Sequence, residues 1–143
     1  MVPATKQVIL NLSGSTSGVT VLTGSVDCKT FGYVSIAVLA NSTAAVSTTT
    51  AHNALEESDD NSTWVAISSA APGTGFTPST VTVASSGPKI IYNVDLRGRK
   101  RYLKVTVGLA ATATSVGITA DLSRASDAPV SATEQGAGYL VQI

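Results

Sequence analysis

Asn53-Ala54-Leu55-Glu56-Glu57-Ser58-Asp59-Asp60-Asn61-Ser62-Thr63-Trp64-Val65 reads as a β-hairpin. An extended run ends in Leu55 and Glu57, a polar turn occupies Ser58 to Asn61, and a second extended run begins at Ser62. Asp and Asn favour such turns because their short side chains accept hydrogen bonds from nearby backbone amides and tolerate left-handed backbone. Outward from the hairpin, apolar residues recur at every second position, which places them on one face of a strand and argues against helix.

Val8, Leu10 and Leu12 are expected to share one face of a first strand spanning residues 7–12. A Ser-rich turn bracketed by Gly14 and Gly18 leads to a second strand over 19–26, broken at Gly24. Over 33–39, Val34, Ile36 and Val38 point one way and Tyr33, Ser35 and Ala37 the other. Residues 41–51, rich in Ser, Thr and Ala, fit either a loop or a weak edge strand. The Pro72-Gly73 stretch is a breaker, Thr80 to Val83 a short strand, and Gly87-Pro88 a further punctuation. Ile90, Tyr92, Val94 and Leu96 then line one face, Leu103, Val105 and Val107 the next, and Val116, Ile118, Ala120 and Leu122 the one after.

Residues 124–143 read as a polar linker followed by a C-terminal strand or arm, Tyr139-Leu140-Val141-Gln142-Ile143. Residues 1–6 read as an N-terminal arm. Eight to ten short strands in 143 residues fit one all-β domain, a jelly-roll-like antiparallel β-sandwich with extended termini.

Composition narrows the function. Hydrophobic residues make up 43% and charged residues 13%, with Ser, Thr, Ala, Val and Gly filling the difference, a mixture suited to strands and close subunit packing. A formal net charge of +0 gives no broad field to collect phosphates, so nucleic acid is not an expected partner. The apolar runs are too short and interrupted for a membrane span, and the first residues lack a basic-then-apolar signal pattern, so synthesis in the cytoplasm is expected. Cys28 is the sole cysteine and His52 the sole histidine, which excludes an internal disulfide and any Cys- or His-rich metal cage.

No catalytic residues, cofactor or metal site are expected. The chain has neither a nucleophile elbow nor a P-loop, and Gly73-Thr74-Gly75 lacks the Lys-Ser/Thr that phosphate binding requires. Ser58 to Asn61, with Glu56 and Glu57, is dense in oxygen ligands. It lacks the alternate spacing, central Gly and distal Glu of a calcium loop, so the turn is preferred. Trp64 is expected to be a core or inter-sheet anchor.

The candidate interaction residues are Arg97, Arg99, Lys100 and Arg101 in a basic turn, and Tyr139, Leu140, Val141 and Ile143 at the terminus. The turn's cations are expected to face acids on a neighbouring strand, a second subunit or a capsid, where matched charge fixes register. The terminal run is expected to be ordered, as a strand of its own sandwich or as an arm on a neighbour.

The hairpin at Leu55 to Trp64 together with Arg101-Tyr102-Leu103-Lys104-Val105 resembles small β proteins encoded among the virion genes of tailed bacteriophages, notably capsid decoration (cement) proteins. The likeness runs from about Tyr33 to Arg124, and Asn61 stands where a Gly often follows the paired aspartates. It implies a non-enzymatic structural protein of the virion. Such a protein binds the outer surface of an expanded icosahedral head as a homotrimer, with the major capsid protein as partner, and braces capsomer junctions. Multivalent attachment would raise avidity well above that of one contact. The alternative it allows is a tail or fibre adsorption module that binds a cell-surface glycan.

Overall fold

The computed structural model describes residues 5–13, 20–40, 53–67, 87–109, 116–124 and 139–142. They form β1 (Lys6–Ser13), β2 (Thr20–Asp27), β3 (Tyr33–Ala40), β4 (Asn53–Ser58), β5 (Val65–Ala66), β6 (Gly87–Asp95), β7 (Tyr102–Leu109), β8 (Val116–Ser123) and β9 (Tyr139–Gln142). The protein is an all-β sandwich. One sheet has the order β1-β8-β3-β6-β9 and the other β2-β7-β4-β5. Every ladder is antiparallel except that of β9, which lies parallel to β6 with Tyr139 opposite Ile90 and Gln142 opposite Asn93.

Period-two alternation builds the core. Val34, Ile36 and Val38 of β3, Tyr92 and Val94 of β6, Leu103, Val105 and Val107 of β7, and Ile118 and Ala120 of β8 are all fully buried. Leu22, Val26, Leu55, Ile67, Ile90 and Leu122 complete the layer between the sheets. In-register neighbours alternate in size: Ala120 of β8 stands beside Ile36, which stands beside Tyr92. Close packing of this kind fixes strand register, because a one-residue slip would turn every apolar side chain outward.

Several expectations need correction. Val8 and Leu10 pack against the core, but Leu12 is 72% exposed. The β1 ladder shifts between Ile9 and Asn11, so Leu10 is an extra residue in a bulge and the alternation reverses after it. Gly24 does not break β2, which pairs with β7 from Thr20 to Asp27. A Cβ at Gly24 would lie 2.6 Å from the Leu10 Cβ, so glycine here makes room for the opposite sheet. Trp64 is half-buried rather than a core anchor, with the Lys104 ammonium 4.6 Å from its ring centre.

Gly87-Pro88 lies inside β6, at a second register shift between Val38 and Leu39. Lys6, placed in an arm by sequence, is the first residue of β1. The expected strand at 80–83, the uncertain segment 41–51, the linker 125–138, residues 1–4 and Ile143 lie outside the described residues.

Candidate interaction surface

Three loops converge at one end of the sandwich: residues 28–32 between β2 and β3, 59–64 between β4 and β5, and 96–101 between β6 and β7. Backbone bonds join the 28–32 and 96–101 loops to each other and to the end of β8, and the Lys100 side chain ties in the 59–64 loop. The Cys28 amide donates to the Arg101 carbonyl at 2.8 Å, the Leu96 amide to Gly32 at 3.0 Å, and the Gly32 amide to Ser123 at 3.0 Å. Gly98, at φ 79°, supplies the left-handed corner that lets the 96–101 loop turn.

The basic turn Arg97 to Arg101 meets its acids within the same chain. Arg97 binds Asp95 through two guanidinium nitrogens. Lys100 reaches Asp59 at 2.7 Å, and its backbone amide donates to Glu57 at 3.3 Å. Arg101 donates through Nε to Asp27 at 3.0 Å, and its guanidinium also lies over the Tyr102 ring. On the adjoining face Lys104 pairs with Glu56 at 2.6 Å, directly across the β4–β7 ladder. The Arg101 hydrogen bond is the main reason that the Asp27 carboxyl titrates down at about 2. Arg97 has the same effect on Asp95, also to about 2. Arg99 is half-buried in the same loop and also engaged by its surroundings.

The Ser58 to Thr63 turn is organised around Asp60. Its carboxylate accepts from the Thr63 amide at 2.8 Å, the Ser62 amide at 2.9 Å and the Ser58 hydroxyl at 2.8 Å. Those bonds, led by the Thr63 amide, hold the Asp60 carboxyl well below the usual carboxylate range. Asn61 takes the left-handed backbone, φ 60°. With Asp60 occupied by turn amides and Asp59 by Lys100, neither carboxylate is directed at a shared ion. No cluster of three His, Cys, Asp or Glu suited to a metal occurs among the described residues. The Cys28 thiol is buried and pushed up to about 12 by desolvation.

Tyr139, Leu140 and Val141 stand in β9, on the edge of the five-stranded sheet. β9 runs parallel to β6 toward the basic turn, but its ladder ends with Gln142 beside Asn93, two residues short of Asp95 and the turn.

Sequence reasoning missed a third feature. Ile9 is 61% exposed and Leu12 72%, both on β1, which among the described residues is an edge strand of the five-stranded sheet. The uninterrupted apolar character of residues 8–10 was the available signal, since strict alternation cannot bury Val8, Ile9 and Leu10 on one face. No protein-family model, curated protein or solved structure matches the chain.

Proposed function

We propose that the protein is a structural component of a phage virion, which binds the outer surface of an icosahedral head and braces capsomer junctions. On this reading it is synthesised in the host cytoplasm, acts as a homotrimer on the capsid surface with the major capsid protein as partner, and catalyses nothing. The family resemblance around Leu55 to Trp64 and Arg101 to Val105 supplies the biological setting. The strand orders β1-β8-β3-β6 and β2-β7-β4-β5 support reading the sandwich as a jelly roll, an architecture used by viral capsid proteins and by lectins. Fold alone does not select between such uses.

The observation that carries the assembly reading is the apolar edge. β1 has one charged residue, Lys6, carries the exposed Ile9 and Leu12, and among the described residues pairs only with β8. Free edges normally carry charges that discourage association, and β1 has almost none. We assign this edge to the contact between copies. Arg97, Lys100 and Arg101 are already matched by their own chain, so the apolar edge bears the contact and the basic turn serves to hold three loops together.

Light scattering across a concentration series tests the assignment. The native protein is expected to run as a trimer, and the double variant Ile9→Lys, Leu12→Lys as a monomer with an unchanged melting temperature. Co-sedimentation with expanded heads of the phage that encodes the chain tests the setting. A protein that stays monomeric at every concentration and leaves the heads unbound would sink the reading.

A further inference from the structure

The loops at the charged end of the sandwich are tied at Gly32. Its amide donates to the Ser123 carbonyl and its carbonyl accepts from the Leu96 amide, both at 3.0 Å. Residues 28–32 and 96–101, and Arg124 directly after Ser123, therefore share one end of the molecule. These segments hold six of the chain's nine Lys and Arg residues and neither Asp nor Glu. Acids on the neighbouring strands and hairpin answer part of that charge: Asp95 takes Arg97, Asp59 takes Lys100 and Asp27 takes Arg101. Lys29 and Arg124 are exposed, and among the described residues no carboxylate meets the ammonium of the one or the guanidinium of the other.

A second observation stands beside the charge. Two turns of similar form lie at this end: the Arg99 amide donates to the Leu96 carbonyl in one and the Phe31 amide to the Cys28 carbonyl in the other, both at 3.1 Å. The third residue of each has left-handed backbone, Gly98 at φ 79° and Thr30 at φ 76°. Glycine adopts that conformation freely, whereas a β-branched residue is strained in it. Thr30 is exposed and its side chain makes no hydrogen bond among the described residues, so nothing inside the fold accounts for a threonine at this corner. Strained residues of this kind collect at binding surfaces.

We propose that this end is the face that meets the head, and that Lys29, Thr30 and Arg124 seat against a carboxylate-bearing patch of the capsid protein. The inference rests on the capsid reading above and adds to it the contact face and the chemistry of the partner surface. Cations left over once the internal pairs are made keep their charge for a partner, and matched charge fixes orientation on docking. The internal pairs serve the same contact. By tying the 28–32, 59–64 and 96–101 loops together they hold the contact residues in place before binding, which lowers the ordering cost. Contact between copies stays with Ile9 and Leu12, so the two surfaces can be tested apart.

Co-sedimentation of the full chain with expanded heads of the encoding phage, over a series of salt concentrations, decides it. The double variant Lys29→Glu, Arg124→Glu should bind heads about tenfold or more weakly, and its attachment should respond less to salt than that of the native chain. Both positions are exposed, so its melting temperature and its mass by light scattering should match the native values. Thr30→Gly relieves the strained corner: the melting temperature should rise by about 3–5 °C while head binding falls about fivefold. A variant that is more stable and binds less separates a contact role from a structural one. The proposal alone is overturned if the native chain binds heads and charge reversal leaves attachment and its salt response unchanged, or if Thr30→Gly is no more stable or binds as well as the native chain. A native chain that leaves heads unbound overturns the capsid reading and this inference together. A short DNA duplex is the second arm: salt-sensitive binding to it that Lys29→Glu, Arg124→Glu abolishes would assign the surface to nucleic acid and overturn the proposal as well.

Discussion

The two edges of the five-stranded sheet are handled in opposite ways. On one side β6 is buried on both faces: Ile90, Ile91, Tyr92, Asn93 and Val94 are each no more than 6% exposed, and β9 pairs along the strand. On the other side β1 pairs, among the described residues, with β8 alone and is bulged at Leu10. It is tied to the second sheet by the Leu10 contact with Gly24 and by the Asn11 side-chain amide, which donates to the Thr23 carbonyl at 2.9 Å. A strand that is apolar on both faces needs a neighbour, and β6 has one. The open edge is bent by its bulge instead, yet it keeps Ile9 and Leu12 in solvent, and that departure makes β1 the candidate for contact with another copy.

The comparison breaks most visibly at β9. Deleting residues 139–143 strips the ladder from β6 and leaves a doubly buried strand as an edge. At about 1 kcal/mol net for each lost hydrogen bond, the expected loss is about 2–4 kcal/mol. Chemical denaturation measures it, and amide exchange should accelerate first at Ile90 to Asn93. An unchanged midpoint would show that β9 contributes nothing to closing this edge.

At the opposite edge, Gly24→Ala puts a methyl group against Leu10. The clashing atom is the Leu10 Cβ, close to the backbone, so a side-chain rotation cannot relieve it. Overpacking of this kind costs about 1–3 kcal/mol. Exchange should rise at β1 and at Thr23 while β6 and β9 keep their protection. If Gly24→Ala is neutral, β1 is held more loosely across the sandwich than its contacts indicate.

These edges also separate what was legible in the sequence from what was not. Val34, Ile36 and Val38, like Leu103, Val105 and Val107, sit in strands whose alternation runs unbroken, and there pattern and burial coincide. Leu12 misled because one extra residue at Leu10 reverses parity, and the apolar run Val8-Ile9-Leu10 signals an exposed apolar residue without locating the insertion. Gly24 read as a break because glycine weakens strands on average; its reason is a side chain in another sheet. The turn at Asp60 was readable because its bonds are local. The ion pairs were not: Arg101 and Asp27 lie 74 residues apart and Lys100 and Asp59 41 apart, so composition shows the charges and only the fold chooses the partners. Hence the cations of the basic turn, for which the sequence allows a neighbouring strand, a second subunit or a capsid, meet acids of their own chain at Arg97, Lys100 and Arg101.

Acid offers the smallest and most local test. Arg101 lowers the Asp27 carboxyl to about 2 in the folded chain, against the ordinary value just below 4. A depressed folded value means that the pair's stabilisation is complete above about pH 4 and lost as pH falls toward 2. Asp27 ends β2 and Arg101 precedes β7, so protonation loosens the join between that strand and the loop packed on it. Asp95 falls to a similar value, but its partner Arg97 is two residues away, and its loss stays within one turn. Because the Asp27 pair is partly solvent-exposed, the effect on global stability should be at most about 1 kcal/mol. Amide exchange at Cys28 and at the adjoining end of β2 should increase between pH 4 and pH 2, with β9 and the centre of β6 unaffected. Asp27→Asn should show the faster exchange already at pH 5 and change little on acidification. Equal acid sensitivity in the variant would assign the response to another carboxylate and leave the Asp27 pair without a part in holding the β1 and β2 side together.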